Sequence, residues 1–344
     1  MNAKQIVLAS RPKGPVQPND FRLEEVELPP LEPGQVLLRV QFLSLDPYMR
    51  LRMDGRKSYA RATAVGEVMP GESIATLLES RHPDYSPGDT VLAFAGWRTH
   101  WVLHGDALRK IGPSALPVTT RLGVLGMPGF TAYAGLYLIG KPKPGETVVV
   151  AAATGPVGSL VGQLARIAGA KAVGITGGPR KCSYATNQLG FDSVVDRHTP
   201  DFPAALAKAC PHGIDVYFEN VGGDVWQAVL PLLNDFARIP VCGLIAHYDS
   251  ERSEGCDRLP ATMRQILAKS LMVRGFINYE FSKEQYGNFL RDVSRWVEEG
   301  RIRYREDIVD GLEKAPEAFI GMLKGQNFGK LIIRVGDRKK TQAA

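Results

Sequence analysis

Residues 148–181, VVVAAATGPVGSLVGQLARIAGAKAVGITGGPRK, predict a strand, a tight turn, a helix, a second strand and a glycine turn that ends in two cations. The β-branched run before the first turn is typical of a buried strand. Apolar residues then recur at helical spacing, at Leu160, Val161, Leu164, Ile167 and Ala168. The stretch therefore predicts a βαβ unit, the building block of a parallel sheet covered by helices.

The turn Ala153-Thr154-Gly155-Pro156-Val157-Gly158 matches a dinucleotide fingerprint with alanine at its first position. Gly155 lets the backbone approach a pyrophosphate, and Gly158 lets the following helix pack close to the sheet. Unpaired N–H groups at the start of that helix would face the phosphates. Such a turn also occurs in purely structural βαβ units, but its place between a strand and a helix favours a bound dinucleotide.

The end of the second predicted strand indicates which dinucleotide. An NAD site would place Asp or Glu there to accept the ribose 2′-hydroxyl. This chain has Thr176-Gly177-Gly178-Pro179-Arg180-Lys181 instead. Two adjacent cations suit a 2′-phosphate, so NADP(H) is favoured over NAD, the alternative being that both cations merely begin a solvated helix.

Length and composition restrict the class of protein. A chain of 344 residues exceeds one typical core and predicts two domains. With 44% hydrophobic and 23% charged residues it is an ordinary globular protein. The net charge of +6 is dispersed apart from the run at 338–340, and no apolar run is long enough for a membrane span or a signal peptide. We expect a cytoplasmic protein that engages neither nucleic acid nor membrane.

The chain divides into two parts that differ in their sequence pattern. Residues 1 to about 125 are β-rich and punctuated by Pro and Gly, which is typical of a compact barrel-like domain. After that, strands alternate with helices, with strands expected at 172–176, 193–196, 214–219 and 237–243, which predicts a doubly wound parallel sheet. The strand expected at 329–335 lies outside this rhythm and is expected to rejoin the first domain.

No metal site is expected from spacing. The four cysteines are far apart and form no C-x-x-C pair, so free thiols in a reducing compartment are the simplest interpretation. His100 and His104 lie four apart around an apparent strand and are interpreted as ordinary surface or satisfied histidines.

Four motifs carry a family resemblance. They are the segments LDPYMR at 45–50, GMPGFTAY at 126–133, ENVGG at 219–223 and LKGQNFGK at 323–330. With the β-rich domain and the dinucleotide unit, they resemble the zinc-independent double-bond reductases of the medium-chain dehydrogenase/reductase superfamily. That branch contains the prostaglandin reductase/leukotriene B4 dehydrogenase enzymes and bacterial NADPH-dependent curcumin reductases. The resemblance implies a GroES-like catalytic domain over 1–126, completed by about 312–344, and a Rossmann NADP-binding domain over 127–311.

The resemblance also implies a set of cofactor contacts. Backbone and side-chain contacts along the dinucleotide are expected at Met127, Thr131, Gly155, Pro156, Val157, Gly158, Gly178, Lys181, Asn220, Cys242, Gly243, Tyr248, Phe276, Ile277, Asn278 and Asn327. Arg197 stands where many relatives have a tyrosine near the 2′-phosphate, and either contacts that phosphate or is simply solvated.

The implied reaction is 1,4-reduction of an α,β-unsaturated ketone or aldehyde, by hydride transfer to the β-carbon and protonation of the enolate. Where zinc relatives have an early cysteine, this chain reads Ser44-Leu45-Asp46-Pro47, so a zinc-independent mechanism is expected. Tyrosine hydroxyls stay protonated near neutral pH and suit oxyanion stabilisation and proton donation. The candidates are Tyr48, Tyr59 and Tyr248, each of which could instead pack or bind the cofactor.

Two other functions remain open at this point. A quinone oxidoreductase would share the fold and cofactor, and a non-catalytic NADPH-binding protein would share the dinucleotide site. The resemblance implies a homodimer.

Overall fold

The computed structural model describes residues 1–55, 58–249 and 258–336. The basic run at 338–340 and Cys256 lie outside these described residues. The chain folds into two compact units. Unit 1 comprises Met1–Leu122 and the chain from Glu306 onward, and unit 2 comprises Gly123–Arg305. The domain boundaries expected near residues 126 and 312 stay a prediction.

The strands and helices follow in chain order. The strands are β1 (Asn2–Leu8), β2 (Phe21–Glu27), β3 (Gln35–Ser44), β4 (Ser73–Ser80), β5 (Thr90–Ala93), β6 (His100–His104), β7 (Arg109–Lys110), β8 (Thr147–Ala151), β9 (Lys171–Thr176), β10 (Ser193–Asp196), β11 (Ile214–Phe218), β12 (Leu233–Val241), β13 (Met272–Gly275), β14 (Glu306–Asp310) and β15 (Lys330–Arg334). The α-helices are α1 (Tyr48–Met53), α2 (Met127–Ala134), α3 (Pro156–Ile167), α4 (Pro179–Asn187), α5 (Phe202–Ala209), α6 (Gly223–Val229), α7 (Leu259–Ala268), α8 (Ser282–Glu298) and α9 (Ala315–Leu323).

Unit 1 is built on a mixed, largely antiparallel sheet. Its described strands run in the order β14-β15-β3-β4-β5-β7, and β6 pairs with β3. The last strand, β15, lies between β14 and β3, which confirms that the C-terminal strand rejoins the first part of the chain. Under this sheet, Trp97 stacks on Phe21 at 5.4 Å and Phe319 meets both rings edge-on. Aromatic burial of this kind contributes much of a small core's stability.

Unit 2 is a doubly wound parallel sheet in the order β10-β9-β8-β11-β12-β13. The order reverses between β8 and β11, next to the fingerprint strand. Ligands of such sheets bind beyond the carboxyl ends of the strands at this switch point. The predicted strand–helix alternation is confirmed, with bounds within a few residues except for β12, which begins earlier, at Leu233.

No helix in the described part of the chain is long and apolar enough to cross a membrane.

Candidate functional site

The fingerprint turn connects β8 to α3 through a strained backbone. Ala152 adopts φ +47°, a left-handed conformation that non-glycine residues rarely take and that often marks functional turns. A Cβ on Gly158 would lie 2.4 Å from the Ala152 carbonyl oxygen, so only glycine fits there. At Gly155 the same oxygen would lie 3.2 Å away, a tight but less severe approach.

Helix α3 presents its amino end at this turn. It begins at Pro156, which has no N–H, and its first helical bond runs from Ser159 N–H to the Gly155 carbonyl. The amides of Val157 and Gly158 precede that bond and have no intrahelical acceptor. The turn therefore offers backbone donors and a helix dipole to an anion.

The turn after β9 lies next to several charged side chains. Gly178 has φ +84° and its N–H donates to Asp196 Oδ1 at 3.0 Å. Bonds from Gly178 and His198 N–H lower the pKa of Asp196. A Cβ on Gly177 would lie 2.8 Å from His198 Nε2 and 3.2 Å from Arg197 Nε. Arg197 therefore lies against the predicted 2′-phosphate turn, with Lys181 in the first turn of α4.

Asn220 follows β11 and leaves one polar atom unsatisfied. Its Nδ2 donates to the Ala151 carbonyl at the end of β8, at 2.9 Å. Its Oδ1 is buried and has no partner. A buried acceptor of this kind costs free energy unless a donor reaches it, and a ribose hydroxyl is such a donor.

Glu219 holds the loop that follows Asn220. Its Oε1 accepts bonds from Val221 N–H and Gly222 N–H, both at 2.8 Å, and from the Tyr217 hydroxyl at 3.1 Å. Burial raises its pKa, and the backbone bonds oppose that effect. The sequence motif pointed to this loop, but not to Glu219 as the side chain that fixes it.

The segment after β12 packs on that loop. Tyr248 Oη accepts a 3.3 Å bond from Leu244 N–H and would lie 2.9 Å from a Cβ on Gly243. Burial raises the pKa of the neighbouring Cys242 thiol to about 12, so this thiol stays protonated at neutral pH. Tyr248 therefore lies beside two predicted cofactor residues.

A third group joins α2 to the end of β13. Asn278 Nδ2 donates to Thr131 Oγ1 at 3.0 Å, and Thr131 in turn donates to the Met127 carbonyl at 2.9 Å. Phe276 is buried, and a Cβ on Gly135 would lie 2.5 Å from its ring. This hydrogen-bond chain fixes the backbone that is predicted to meet the carboxamide.

Unit 1 brings two of the candidate tyrosines to the same cation. The Arg52 guanidinium lies 5.7 Å from the ring centre of Tyr48 and 5.7 Å from that of Tyr59. Burial, followed by the charge of Asp46, raises the pKa of Tyr48 well above its usual value. Tyr59 is 46% exposed. Arg52 lies one helical turn after Tyr48 on α1, but its contact with Tyr59 depends on the loop that follows and has no signal in the sequence.

Asp46 and Asn327 have structural partners within unit 1. Lys330 Nζ donates to Asp46 Oδ1 at 2.5 Å and to the Leu45 carbonyl at 2.8 Å, and both charged side chains are buried. Asn327 Nδ2 donates to the Gly329 carbonyl at 2.9 Å, which shapes the turn before β15. The segment that carries cysteine in zinc relatives here holds an ion pair.

The residues of unit 2 fit a dinucleotide. The fingerprint turn has a cradle that a Cβ on Gly158 would fill, and Asn220 Oδ1 lacks the donor that a ribose would supply. Arg197 directly follows β10, and Lys181 lies in the first turn of α4, next to the turn that is predicted to bind a 2′-phosphate. In the part of the chain that the structure describes, His82, His104 and Asp106 are the grouping of three side chains able to hold a metal ion.

The fold and this turn define a two-domain protein with a dinucleotide-binding unit. Two family models match the chain, one described as the N-terminal domain of oxidoreductase over residues 4–111 and one as zinc-binding dehydrogenase over residues 156–295. The chain belongs to the medium-chain dehydrogenase/reductase family, with a GroES-like N-terminal domain and a Rossmann domain.

Its relatives cover nearly the whole chain. It is 53% identical over 330 residues to the NADPH-dependent curcumin reductase of Escherichia coli, covering 96% of each chain. It is 41% identical over 320 residues to prostaglandin reductase 1 of Bos taurus, covering 92% of this chain and 94% of that one. The structure of CurA from Vibrio vulnificus in complex with NADPH superposes with a TM-score of 0.94 at 47% identity, covering 97% and 99% of the two chains.

Proposed function

We propose that this protein reduces the conjugated C=C bond of α,β-unsaturated ketones and aldehydes, with NADPH as the reductant. The observation that carries this is its similarity over almost its full length to an NADPH-dependent curcumin reductase. The 2′-phosphate turn agrees with that cofactor, because Arg197 and His198 lie against Gly177 and no carboxylate ends β9.

Bound NADPH supplies the hydride that adds to the β-carbon of the substrate. Within unit 2 we assign the pyrophosphate to the turn Gly155-Pro156-Val157-Gly158, with the Val157 and Gly158 amides as donors, and a ribose hydroxyl to Asn220 Oδ1. The 2′-phosphate is assigned to Lys181 and Arg197, beside the turn at Gly178.

The nicotinamide end is assigned to the remaining predicted contacts. These are Met127, Thr131, Cys242, Gly243, Phe276, Ile277, Asn278 and Asn327. The Asn278–Thr131–Met127 chain supports this assignment, because it pre-positions the backbone that would bind the carboxamide.

Protonation of the enolate α-carbon is assigned first to Tyr48. Its raised pKa keeps the hydroxyl protonated throughout the neutral range, and the Arg52 charge near the ring lowers that pKa in part, because a cation stabilises the tyrosinate left after proton donation. Tyr59 and Tyr248 are the alternative donors. We assign no metal to the reaction, so activity should survive prolonged treatment with a chelator.

We also propose that the protein acts in the cytoplasm as a homodimer. β13 lies at one end of the described strands of its sheet, and its Met272 and Val273 are 41% and 43% exposed. An edge strand with exposed apolar residues is suited to pairing with a second copy.

The deciding experiment is an NADPH-oxidation screen over enals, enones, dienones and quinones, with product analysis. Enones and enals should be reduced at the C=C bond, with NADPH used far better than NADH. Lys181→Ala should raise the KM for NADPH by roughly tenfold or more and leave that for NADH nearly unchanged. Turnover of quinones alone, or equal use of both cofactors by the wild type, would contradict the proposal.

A further inference from the structure

Three side chains of unit 1, none of them assigned to the reaction, converge on one another. His82 Nε2 lies 3.0 Å from Asp106 Oδ1, and His104 Nδ1 lies 3.1 Å from Asp106 Oδ2. The three ligand atoms all lie within 4.8 Å of one another. We name this group the His82–His104–Asp106 cluster.

The backbone around the cluster is shaped for two imidazoles. A Cβ on Gly34 would lie 2.5 Å from His104 Nε2, and a Cβ on Gly105 would lie 2.6 Å from the His82 ring. Gly105 N–H also donates to the Gly34 carbonyl at 2.9 Å, which fixes the two glycines to each other. Larger residues at either position would displace a ring, so the two glycines leave the room that both imidazoles occupy.

His82 is the anchored member. Its side chain is 8% exposed, its ring packs against Tyr85 at 5.3 Å, and its backbone exchanges two 3.1 Å bonds with Ser80 Oγ. His104 and Asp106 are open to solvent, at 55% and 75% exposed. A hydrogen bond from His82 lowers the pKa of Asp106, so its carboxylate is charged at neutral pH.

We propose that the His82–His104–Asp106 cluster binds a first-row divalent transition metal ion such as Zn²⁺, with water completing the coordination. Two imidazole nitrogens and one carboxylate oxygen are a common donor set for such ions. Tetrahedral zinc with bonds of about 2.0–2.1 Å needs donor atoms a little over 3 Å apart. Each nitrogen already lies at that distance from one oxygen of the Asp106 carboxylate, His82 Nε2 from Oδ1 and His104 Nδ1 from Oδ2. Rotation of the exposed His104 and Asp106 side chains would bring both nitrogens around an ion held by one of those oxygens.

Binding requires one rearrangement that can be observed. Asp84 N–H donates to His82 Nδ1 at 3.2 Å, so without an ion the proton of the neutral ring is on Nε2, where it faces Asp106. Coordination through Nε2 moves the ring proton to Nδ1 and breaks the Asp84 bond. The Asp84 amide is therefore a reporter for the metal at this site.

The ion would join three segments of unit 1. His82 follows β4, His104 ends β6, and Asp106 lies in the 3₁₀ turn Gly105–Ala107. An ion that binds only the folded arrangement stabilises it by mass action. We therefore expect Zn²⁺ to raise the unfolding temperature of the full-length protein.

The test is Zn²⁺ titration of metal-free, full-length protein by calorimetry, with the Asp84 amide followed by NMR. One equivalent should bind to the cluster, shift the Asp84 amide and raise the unfolding temperature. His104→Gln and Asp106→Asn, both at exposed positions, should each weaken binding by at least roughly tenfold and abolish the amide shift. His212→Gln, which removes an exposed histidine of unit 2, is the matched control and should change neither.

Other outcomes overturn the proposal. Binding that survives in His104→Gln and Asp106→Asn, or a Co²⁺-substituted protein whose spectrum shows thiolate ligation, places the ion on other groups. Absence of one-equivalent binding by the wild type leaves the cluster as a hydrogen-bonded triad only. The unfolding temperature of each metal-free variant reports folding independently, so a lost metal site is distinguished from a lost fold.

Discussion

At the scale of single residues, Tyr48 is the side chain whose chemistry is most sharply defined. Burial raises its pKa well above the usual value, and the charges of Asp46 and Glu72 raise it further. We expect Tyr48→Phe to lower kcat for an enone by about 10²-fold while the KM for NADPH stays unchanged, because only the proton donor is lost.

Tyr59→Phe is the matched variant, since both rings lie 5.7 Å from the Arg52 guanidinium and Tyr59 is largely exposed. It should reduce kcat much less. If both variants turn over like the wild type at steady state, the proton comes from another group and the assignment to these tyrosines is wrong.

Glu72 predicts a pH dependence of stability. Burial, which exceeds the opposing effects of Arg109 and Lys330, raises its pKa from 4.5 to about 7. The folded chain therefore holds this proton more tightly than the unfolded chain. Stability falls as pH rises from about 4.5 to about 7 and is constant above that, with a total loss of up to roughly 3 kcal/mol from this group.

Glu72→Gln should remove that loss. Its unfolding temperature, measured by calorimetry, should exceed that of the wild type at about pH 8 by more than it does at about pH 5. A difference between variant and wild type that is the same at both pH values would show that Glu72 is charged in the folded protein throughout.

At the scale of elements, glycines within helices have opposite effects at two positions. A Cβ on Gly158, in the first turn of α3, would lie 2.4 Å from the Ala152 carbonyl oxygen. A Cβ on Gly287, within α8, would meet no atom within 4 Å. Gly158→Ala should therefore destabilise the protein by about 1–3 kcal/mol, whereas Gly287→Ala should stabilise it by about 0.5–1 kcal/mol.

Chemical unfolding of both variants measures whether each substitution lowers or raises the free energy of unfolding. NADPH binding adds a second measurement, because Gly158→Ala should also weaken it and Gly287→Ala should not. Equal effects of the two substitutions would mean that α3 shifts away from β8 without cost, and that Gly158 is not required by close packing.

What the sequence could predict was local. The fingerprint turn, the strand before it and the helix after it depend on neighbouring residues, so their pattern is visible without a structure. Asp196 on Gly178 N–H and His82 beside Asp106 are contacts between separated segments. Only chain topology brings such groups together, so no spacing rule could have found them.

The start of α2 shows how a local prediction is wrong at its edge. The segment 130–136, FTAYAGL, predicts the start of a helix, but α2 begins at Met127. Pro128 is favourable in the first turn of a helix, and a Cβ on Gly129 would lie 2.0 Å from the Val124 carbonyl oxygen. The Pro128-Gly129 pair therefore allows a tight entry into the helix three residues before the apolar run.

At the scale of the whole molecule, unit 1 depends on both parts of the chain. Lys330 and Asp46 are 284 residues apart in sequence and form a buried pair. Breaking a buried pair by removing one partner is costly, whereas an apolar pair of similar volume often is not. The pair therefore links β15 to the segment after β3, and the fold of unit 1 is complete only after the final strand has been made.

For the whole molecule, the edge strand β13 predicts how two copies of the chain would pair. β13 pairs with β12 on one side, and Phe276 N–H donates to the Val241 carbonyl just beyond it. Because N–H groups alternate along a strand, the amides of Val273 and Gly275 point away from β12, toward the open edge.

Val273→Pro removes one outward donor without removing a bond to β12, and proline is tolerated on edge strands. Sedimentation should show wild type at twice the mass of the 37.6 kDa chain, Val273→Pro at the monomer mass, and the β-favouring Val273→Thr still dimeric. A proline variant that stays dimeric would place the interface on another face, and a monomeric wild type would remove the assembly altogether.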